Sequence, residues 1–502
     1  MLYAFFALLV LFIGFTLFRT LLLSRRETIP ADLRFIPVNL EDAISRLSKA
    51  IQFKTISKQD ASLVDGDEFK KMHSFLEKAF PQVHETLNKE IINHYSLLFK
   101  WEGSNPELKP MMLTCHLDVV PVEPGTEDDW DHPPFQGAIT DEHIYGRGTM
   151  DVQSGVMAIL EAAEALLKQG FSPERTIYLG FGHDEEIDGE FGASEIGRIL
   201  AERGIELEFL LDEGLPVVEE LIEGIKSPVA LVAVAEKGYL SLELSILTEG
   251  GHSSVPQGKT SIARLGEALH RLEENPLPAK FDGLVKSTFE SLCSGMPFPL
   301  RYAFANLWMF KTPLRRFLTT IPATDAALRT TTATTIFESG VKENVIPTMA
   351  KAVVNFRIHP NDSIESVITH VKKVINDSDI KVEKLFGYIE PSIVSSVENN
   401  SYRQLARSIR QIFPEVAVAP SLMVGATDAR HYSAISENIY RFFPLRAEQS
   451  DLDRVHGTNE RLSIENYGEM IQFYSRLVIN ASVSKPSETL KSVSVPVKPA
   501  QS

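Results

Sequence analysis

Apolar and polar positions change rhythm four times along this chain, and each rhythm predicts a different kind of element. Leu2 to Phe18 form a nearly unbroken apolar run that stops at Arg19. The run is slightly short of the ~20 residues that span a bilayer. It also lacks the basic start and small-residue cleavage site of a secretory signal. A signal peptide or signal anchor is expected over residues 1–26. Arg19, Arg25 and Arg26 follow it, and a strict positive-inside reading keeps them cytoplasmic.

From about residue 110, continuous apolar runs alternate with helical spacing. "PMMLTCHLDVV", "RTIYLGFG" and "ELEFLLDEG" read as buried strands, with "VMAILEAAEALLKQG" and "GASEIGRILAERG" as the helices between them. The first helix stops at Gly170, a residue suited to a C-terminal cap. Strand, helix, strand, helix, strand predicts a mainly parallel sheet with right-handed crossovers. From Ala235 the spacing becomes alternate in "YLSLELSILTEG", followed by the amphipathic helix "SIARLGEALHRLEE". Then come "RTTTATTIFESG", "MAKAVVNFRIHP", the helix "SIESVITHVKKVIND" and a short strand near "IKVEKLF". That order is β-α-β-β-α-β, a ferredoxin-like unit. An aromatic-rich segment over about 275–322 interrupts it. After Tyr388, the helix "SYRQLARSIRQIF" and the strand "NIYRFF" return to the first sheet. The expected fold is α/β: a domain with a mainly parallel central sheet in two parts (27–235 and 388–481), an inserted ferredoxin-like domain (236–387), and a disordered tail (482–502).

Composition narrows the function. At 502 residues the chain exceeds one ordinary domain. A net charge of -17 opposes nucleic-acid binding, so no nucleic-acid partner is expected. Four sequons, at Asn361, Asn376, Asn399 and Asn480, join the leader in favouring the secretory route. The expected location is extracellular, with a type II membrane-anchored form as the alternative. Cys115 and Cys293 allow one disulfide at most, and Cys115, inside an apolar run, reads as a buried small residue.

The chemistry gathers at strand ends, where open α/β sheets place their ligands. His116-Leu-Asp118, Asp184-Glu185-Glu186 and Asp212-Glu213-Gly214 end three successive strands, and "YGRGTMD" puts Asp151 just before a helix at the same edge. Parallel connectivity collects His116, Asp151, Glu185, Glu186 and Asp212 in one cleft. So many carboxylates stay ionised only with cations beside them. Imidazole with carboxylate suits zinc better than calcium or magnesium. Two ions can share one carboxylate.

These residues also carry a resemblance. "CHLDVVP", "GRGTMD", "GHDEE", "DEG", "GHSS", "NVIP", "NFRIHP" and "HGTNE", in that order, resemble the di-zinc family of aminoacylases, carnosine dipeptidases and glutamate carboxypeptidases. The resemblance runs from about Ile51 to the last helix. "RTTTATTIFESGVKENVIP" and "IYRFFP" are similar to the branch that forms and hydrolyses N-fatty-acyl amino acids. It implies two Zn2+ per chain, with His116 and Asp212 on one, Glu186 and His456 on the other, and Asp151 bridging. Asp118 would orient His116, and Glu185 would be the general base. His252 would stabilise the oxyanion, reaching in from the neighbouring subunit in dimeric relatives. Arg357, Asn344 and the "GATD" turn at Gly425 would hold the substrate carboxylate. "DVQSG" departs from the Asp-Lys that often follows the bridging aspartate, and a cis peptide after Asp151 is implied.

The implied partners are free fatty acids, amino acids and N-acyl amino acids, with a homodimer and a lipoprotein or membrane surface as further candidates. Phe298, Phe304, Trp308, Phe310 and Phe317 of the 275–322 insertion are expected to line an acyl-chain wall. The alternative activity is a dipeptidase or carboxypeptidase on small peptides. His183 is expected in the core, and Asp184, Asp188 and Glu190 as loop or cap acids.

Overall fold

The computed structural model describes residues 2–23, 35–219, 227–281 and 283–482. The chain divides into two compact units. One comprises Arg26–Val232, Ser396–Val418 and Thr427–Ser502, and the other Met1–Arg25, Ala233–Ser395 and Ala419–Ala426.

Along the chain, helix α1 (Leu2–Leu23) is followed by strands β1 (Asn88–Ile92), β2 (Ser96–Trp101) and β3 (Met111–His116). Helix α2 (Gln153–Lys168), β4 (Ile177–Gly182), α3 (Ala193–Glu202) and β5 (Phe209–Val218) continue the first unit. Strand β6 (Val229–Glu236) leads into β7 (Gly238–Leu247), α4 (Ser261–Glu274), α5 (Phe298–Ala305) and α6 (Leu307–Leu318). Then come β8 (Thr331–Ser339), β9 (Met349–Ile358), α7 (Ile364–Ile375) and β10 (Lys381–Lys384). Helix α8 (Asn400–Ile412), β11 (Ala417–Met423), β12 (Ile439–Ala447) and α9 (Ile464–Ser482) close the described chain.

An eight-stranded sheet runs in the order β1-β2-β4-β3-β5-β12-β6-β11. Its centre is parallel, β3 with β4 and β5, and β12 with β5. β1 and β2 are antiparallel at one edge. Every residue of β3 and β4 is buried, which is why these strands read as continuous apolar runs and not as alternation. Helix α2 is buried from Gln153 to Leu166 and packs on α9.

The second unit holds a four-stranded antiparallel sheet, β8-β9-β7-β10. Its alternation puts Leu240, Leu242, Leu244, Val354 and Phe356 on one face, against Leu265 of α4 and Val367 and Val371 of α7. Helix α7 starts at a Ser363 capping box and ends at Asn376, whose φ of 43° lies in the left-handed region. The order is the expected ferredoxin-like one. The aromatic segment is itself split. Phe281, Phe289 and Phe304 stack on one another at 4.4–6.4 Å between centroids, whereas Phe298, Trp308 and Phe317 are exposed.

Cys115 and Cys293 are both buried and free, so the disulfide that two cysteines allowed does not form. The sequons differ in their surroundings. Asn361 and Asn376 are exposed. Asn399 caps α8, accepting the Tyr402 N–H, and its amide donates to Asn438. Asn480, on α9, donates to Ser408 and Gln411. Of the expected tail, residues 483–502 lie outside the described residues, as do residues 24–26 of the leader.

Candidate active site

The first unit's site is built on strand ends. His116 closes β3, and its Nδ1 donates to the Asp118 carbonyl at 2.9 Å, with the Asp118 carboxylate at 3.3 Å. That carboxylate also accepts the N–H groups of Glu185 and Glu186, each at 3.2 Å. Asp118 therefore orients the imidazole and ties it to the acidic turn beyond β4. His116 Nε2 lies 3.1 Å from Asp151 Oδ1, 3.1 Å from Glu213 Oε1 and 4.0 Å from Glu185 Oε2. His456 Nε2 lies 3.0 Å from Asp151 Oδ2 and 3.2 Å from Glu186 Oε2. One imidazole thus faces each oxygen of Asp151. The Asp151–Val152 peptide is cis.

Asp212 is not in this cluster; Glu213 stands in its place. Successive residues of a strand point to opposite faces. Glu213 turns toward His116, while Asp212 sits on the side of Asp428 and Tyr432, in register with Arg441 of β12. Asp212 accepts the Glu213 N–H at 2.9 Å. A Cβ at Gly214 would lie 2.6 Å from the Arg441 Cβ, so glycine must follow the pair.

Four bracing side chains were not foreseen. Glu460 accepts the N–H groups of Gly148, Met150 and Asp151 through Oε1, at 2.7–3.1 Å, and pairs with Arg147 at 2.7 Å. Arg147 in turn donates to the carbonyls of His456 and Gly457. The Asp151 loop and the His456 loop are therefore fastened by one buried ion pair. Asp428 lies where Gly182 and Gly189 leave room, since a Cβ there would come within 2.7 and 2.0 Å of its carboxylate. "HGTNE" contained Glu460, and "GRGTMD" Arg147, so the signal was in the motifs. Gln153, of the departing "DVQSG", is buried and donates to Thr55 and the Leu117 carbonyl. It anchors the start of α2 beside His116.

Burial opposes charge on His116, but Glu213, Asp118 and Asp151 outweigh it and hold the imidazole protonated well above its ordinary range. Asp151 and Glu186 raise His456 to about 10. Against its burial, Asp151 is held low by the two imidazoles. Burial pushes Glu185 well above the usual carboxylate range, and raises Glu186 and Glu213. Glu460 is pushed by burial up to about 7. One buried oxygen, Glu186 Oε1, has no hydrogen-bond partner. A nitrogen-and-oxygen donor set with that orphan fits divalent metal: His116, Asp151 and Glu213 on one side, His456, Asp151 and Glu186 on the other.

His183 packs among Phe69 and Tyr95 and bonds Ser96, with burial lowering it to about 4. Asp184 is a buried brace that accepts the Phe191 N–H, while Asp188 and Glu190 are exposed.

The remaining expected residues belong to the second unit. The ribbon Gly251–His252 pairs with Val345–Ile346, and Ser253 N–H donates to the Asn344 carbonyl, so His252 and Asn344 are neighbours. His252 Nδ1 accepts the Ser254 N–H at 3.1 Å, which leaves the proton of the neutral ring on Nε2. The Arg357 guanidinium lies 4.9 Å from the Tyr239 ring centroid. Gly425 has room for a side chain, its nearest neighbour to an added Cβ being Met423 Cε at 3.7 Å. Lys237, unforeseen, is buried, donates to the Arg329 carbonyl and is lowered by burial to about 8.

The profile of peptidase family M20/M25/M40 matches residues 112–480. A probable carboxypeptidase S-like protein of Dictyostelium discoideum is 46% identical over 439 residues, covering 87% of this chain and 84% of that one. The N-fatty-acyl-amino acid synthase/hydrolase of Homo sapiens is 39% identical over 447 residues, 88% of each chain. Among solved structures, an M20 family metallo-carboxypeptidase from Sulfolobus solfataricus shares the fold with a TM-score of 0.62 at 19% identity, over 87% of this chain and 98% of that one.

Proposed function

This chain belongs to peptidase family M20/M25/M40 and is a hydrolase of amide bonds; from that premise we propose that it hydrolyses, and in reverse forms, the amide between a fatty acyl group and an amino acid, holding two zinc ions per chain. The observation that carries the reading is the 38–41% identity, over 87–89% of this chain, to N-fatty-acyl-amino acid synthase/hydrolases of five vertebrates.

His116, Asp151 and Glu213 would hold one ion, and His456, Asp151 and Glu186 the other. Bound there, metal supplies polarisation of the carbonyl and a nucleophile at neutral pH. Glu185, half-buried with Oε2 4.0 Å from His116 Nε2, takes the proton of the attacking water and delivers it to the leaving amine. His252 offers Nε2–H to the oxyanion. Arg357 receives the amino-acid carboxylate, with Asn344 and the backbone at Gly425 beside the substrate.

A homodimer is supported by β8, an edge strand whose Ile336 and Phe337 are exposed. The apolar N-terminal helix is compatible with entry to the secretory route as a signal or an anchor.

A second reading, a carboxypeptidase on small peptides, is favoured by the 46% identity to the carboxypeptidase S-like relative. Comparing kcat/KM for N-oleoyl-phenylalanine with a dipeptide panel separates the two. The acyl-amino acid is expected to be the better substrate by at least about tenfold, the weight of two buried methylenes. Faster turnover of the dipeptides would transfer the assignment to the second reading.

A further inference from the structure

Helix α1 carries a single charge, Arg19, in a mostly apolar sequence, yet the only side chains it buries are two threonines. Thr16 and Thr20, one turn apart, are 0% and 1% exposed, while Phe5, Leu8, Val10, Leu11, Phe15 and Phe18 lie open. The cover comes from the pair α5–α6 of the same unit. Tyr302 Oη donates to Thr16 Oγ1 at 2.9 Å. Asn306 Nδ2 reaches the Thr16 carbonyl at 3.3 Å and Thr20 Oγ1 at 3.4 Å. The two threonine hydroxyls also donate back to the carbonyls of Ile13 and Thr16. Trp308 meets Phe12 edge to face at 5.8 Å.

This arrangement is inside-out for water. An aqueous helix of this composition would bury its phenylalanines and leucines and leave its threonines outside. In hydrocarbon the preference reverses: polar groups seek each other between helices, and apolar ones face lipid. The dimensions agree. Twenty-two residues give about 33 Å of helix, against a hydrocarbon core of about 30 Å. The named contacts with α5–α6 begin at Phe12, so Leu2–Leu11 extend about 15 Å beyond them, roughly one leaflet.

The helix pair carries the matching surface. Phe298, Trp308, Met309 and Phe317 are exposed. Between Phe298 and Leu318 stand Arg301, Lys311, Arg315 and Arg316 and no acid, in a chain of net charge -17. Exposed aromatics with a basic face are the pattern of a helix lying at a lipid headgroup boundary.

We propose that α1 is retained as a membrane-spanning anchor and that α5–α6 are seated beside its C-terminal half in one leaflet of a phospholipid bilayer, with Thr16, Thr20, Tyr302 and Asn306 as the polar clasp joining them. Removal of the leader would strip Asn306 and Tyr302 of these partners. The inference stands apart from the choice of substrate, because it uses no residue of the active site.

Tryptophan fluorescence tests it. Trp101 and Trp130 are 4% and 7% exposed, whereas Trp308 is 56% exposed, so a lipid-borne quencher reads Trp308. The full-length protein is reconstituted into phosphatidylcholine–phosphatidylserine vesicles with and without brominated acyl chains, and its N-terminal peptide is read by mass spectrometry. Brominated lipid is expected to lower the emission, Trp308→Phe to abolish that loss, and the mature chain to retain Phe12 to Thr20. Emission indifferent to bromine, as when a second copy of the chain covers α6, would overturn the seating. A mature chain that begins beyond Leu23 would overturn the anchor.

Discussion

Glu213 and Asp212 differ by one position and by one face of a strand, and that difference decides which of them faces His116. Glu213→Gln is expected to lower the metal content of the purified protein, while Asp212→Asn leaves metal content intact and lowers Tm, because Asp212 is buried opposite Arg441. Elemental analysis with a thermal melt separates them, and equal metal loss in both would return Asp212 to the ligand set. Glu185→Gln is expected to keep its metal and lose about 10²–10⁴-fold in kcat, the range for a general base. Loss of metal in that variant would mean that Glu185 is a ligand. The cluster itself was readable from the sequence, since three strand ends carried His or acids. The choice within "DEG" was not, because a one-residue shift of register reverses which side chain meets the cleft.

At the scale of elements, two loops are held together by Glu460 and Arg147. Glu460→Ala is expected to weaken metal binding by about 10–100-fold, as loss of ligand-orienting partners does. A competition titration with a chelating dye measures it, and unchanged affinity would show that the loops hold Asp151 and His456 without the pair. The ferredoxin-like unit was readable because its strands alternate with period two and its helices with the helical period. The 275–322 segment was not. Its aromatics look alike in sequence, yet Phe304 stacks in a local core while Trp308 stands exposed, and only packing tells them apart. The expected acyl-chain wall therefore loses Phe304 to that core.

Over the whole molecule, the site's charge makes metal and pH rivals. In the metal-free fold carboxylates raise His116, against its burial, and His456, while burial raises Glu185 and Glu213. Groups whose pKa is raised by folding add stability below their unfolded pKa and lose it as pH rises through the folded one. For His456 that window runs from 6.5 to about 10. The metal-free protein should therefore melt at progressively lower temperature across that range. Metal loading at neutral pH should release at least two protons per chain, one from each imidazole. Calorimetry in buffers of different ionisation enthalpy counts them, and no proton release would mean that the imidazoles are neutral before metal arrives. The fold class and the two-unit plan followed from the order of strands and helices. The balance of protons followed only from distances.

Purified full-length protein loaded with zinc is incubated with N-oleoyl-phenylalanine, and separately with oleate and phenylalanine, and the products are identified by mass spectrometry. Oleate and phenylalanine are expected from the first mixture and N-oleoyl-phenylalanine from the second, both abolished in Glu185→Gln. Intact substrate in both mixtures, from a protein that cleaves dipeptides under the same conditions, would contradict it.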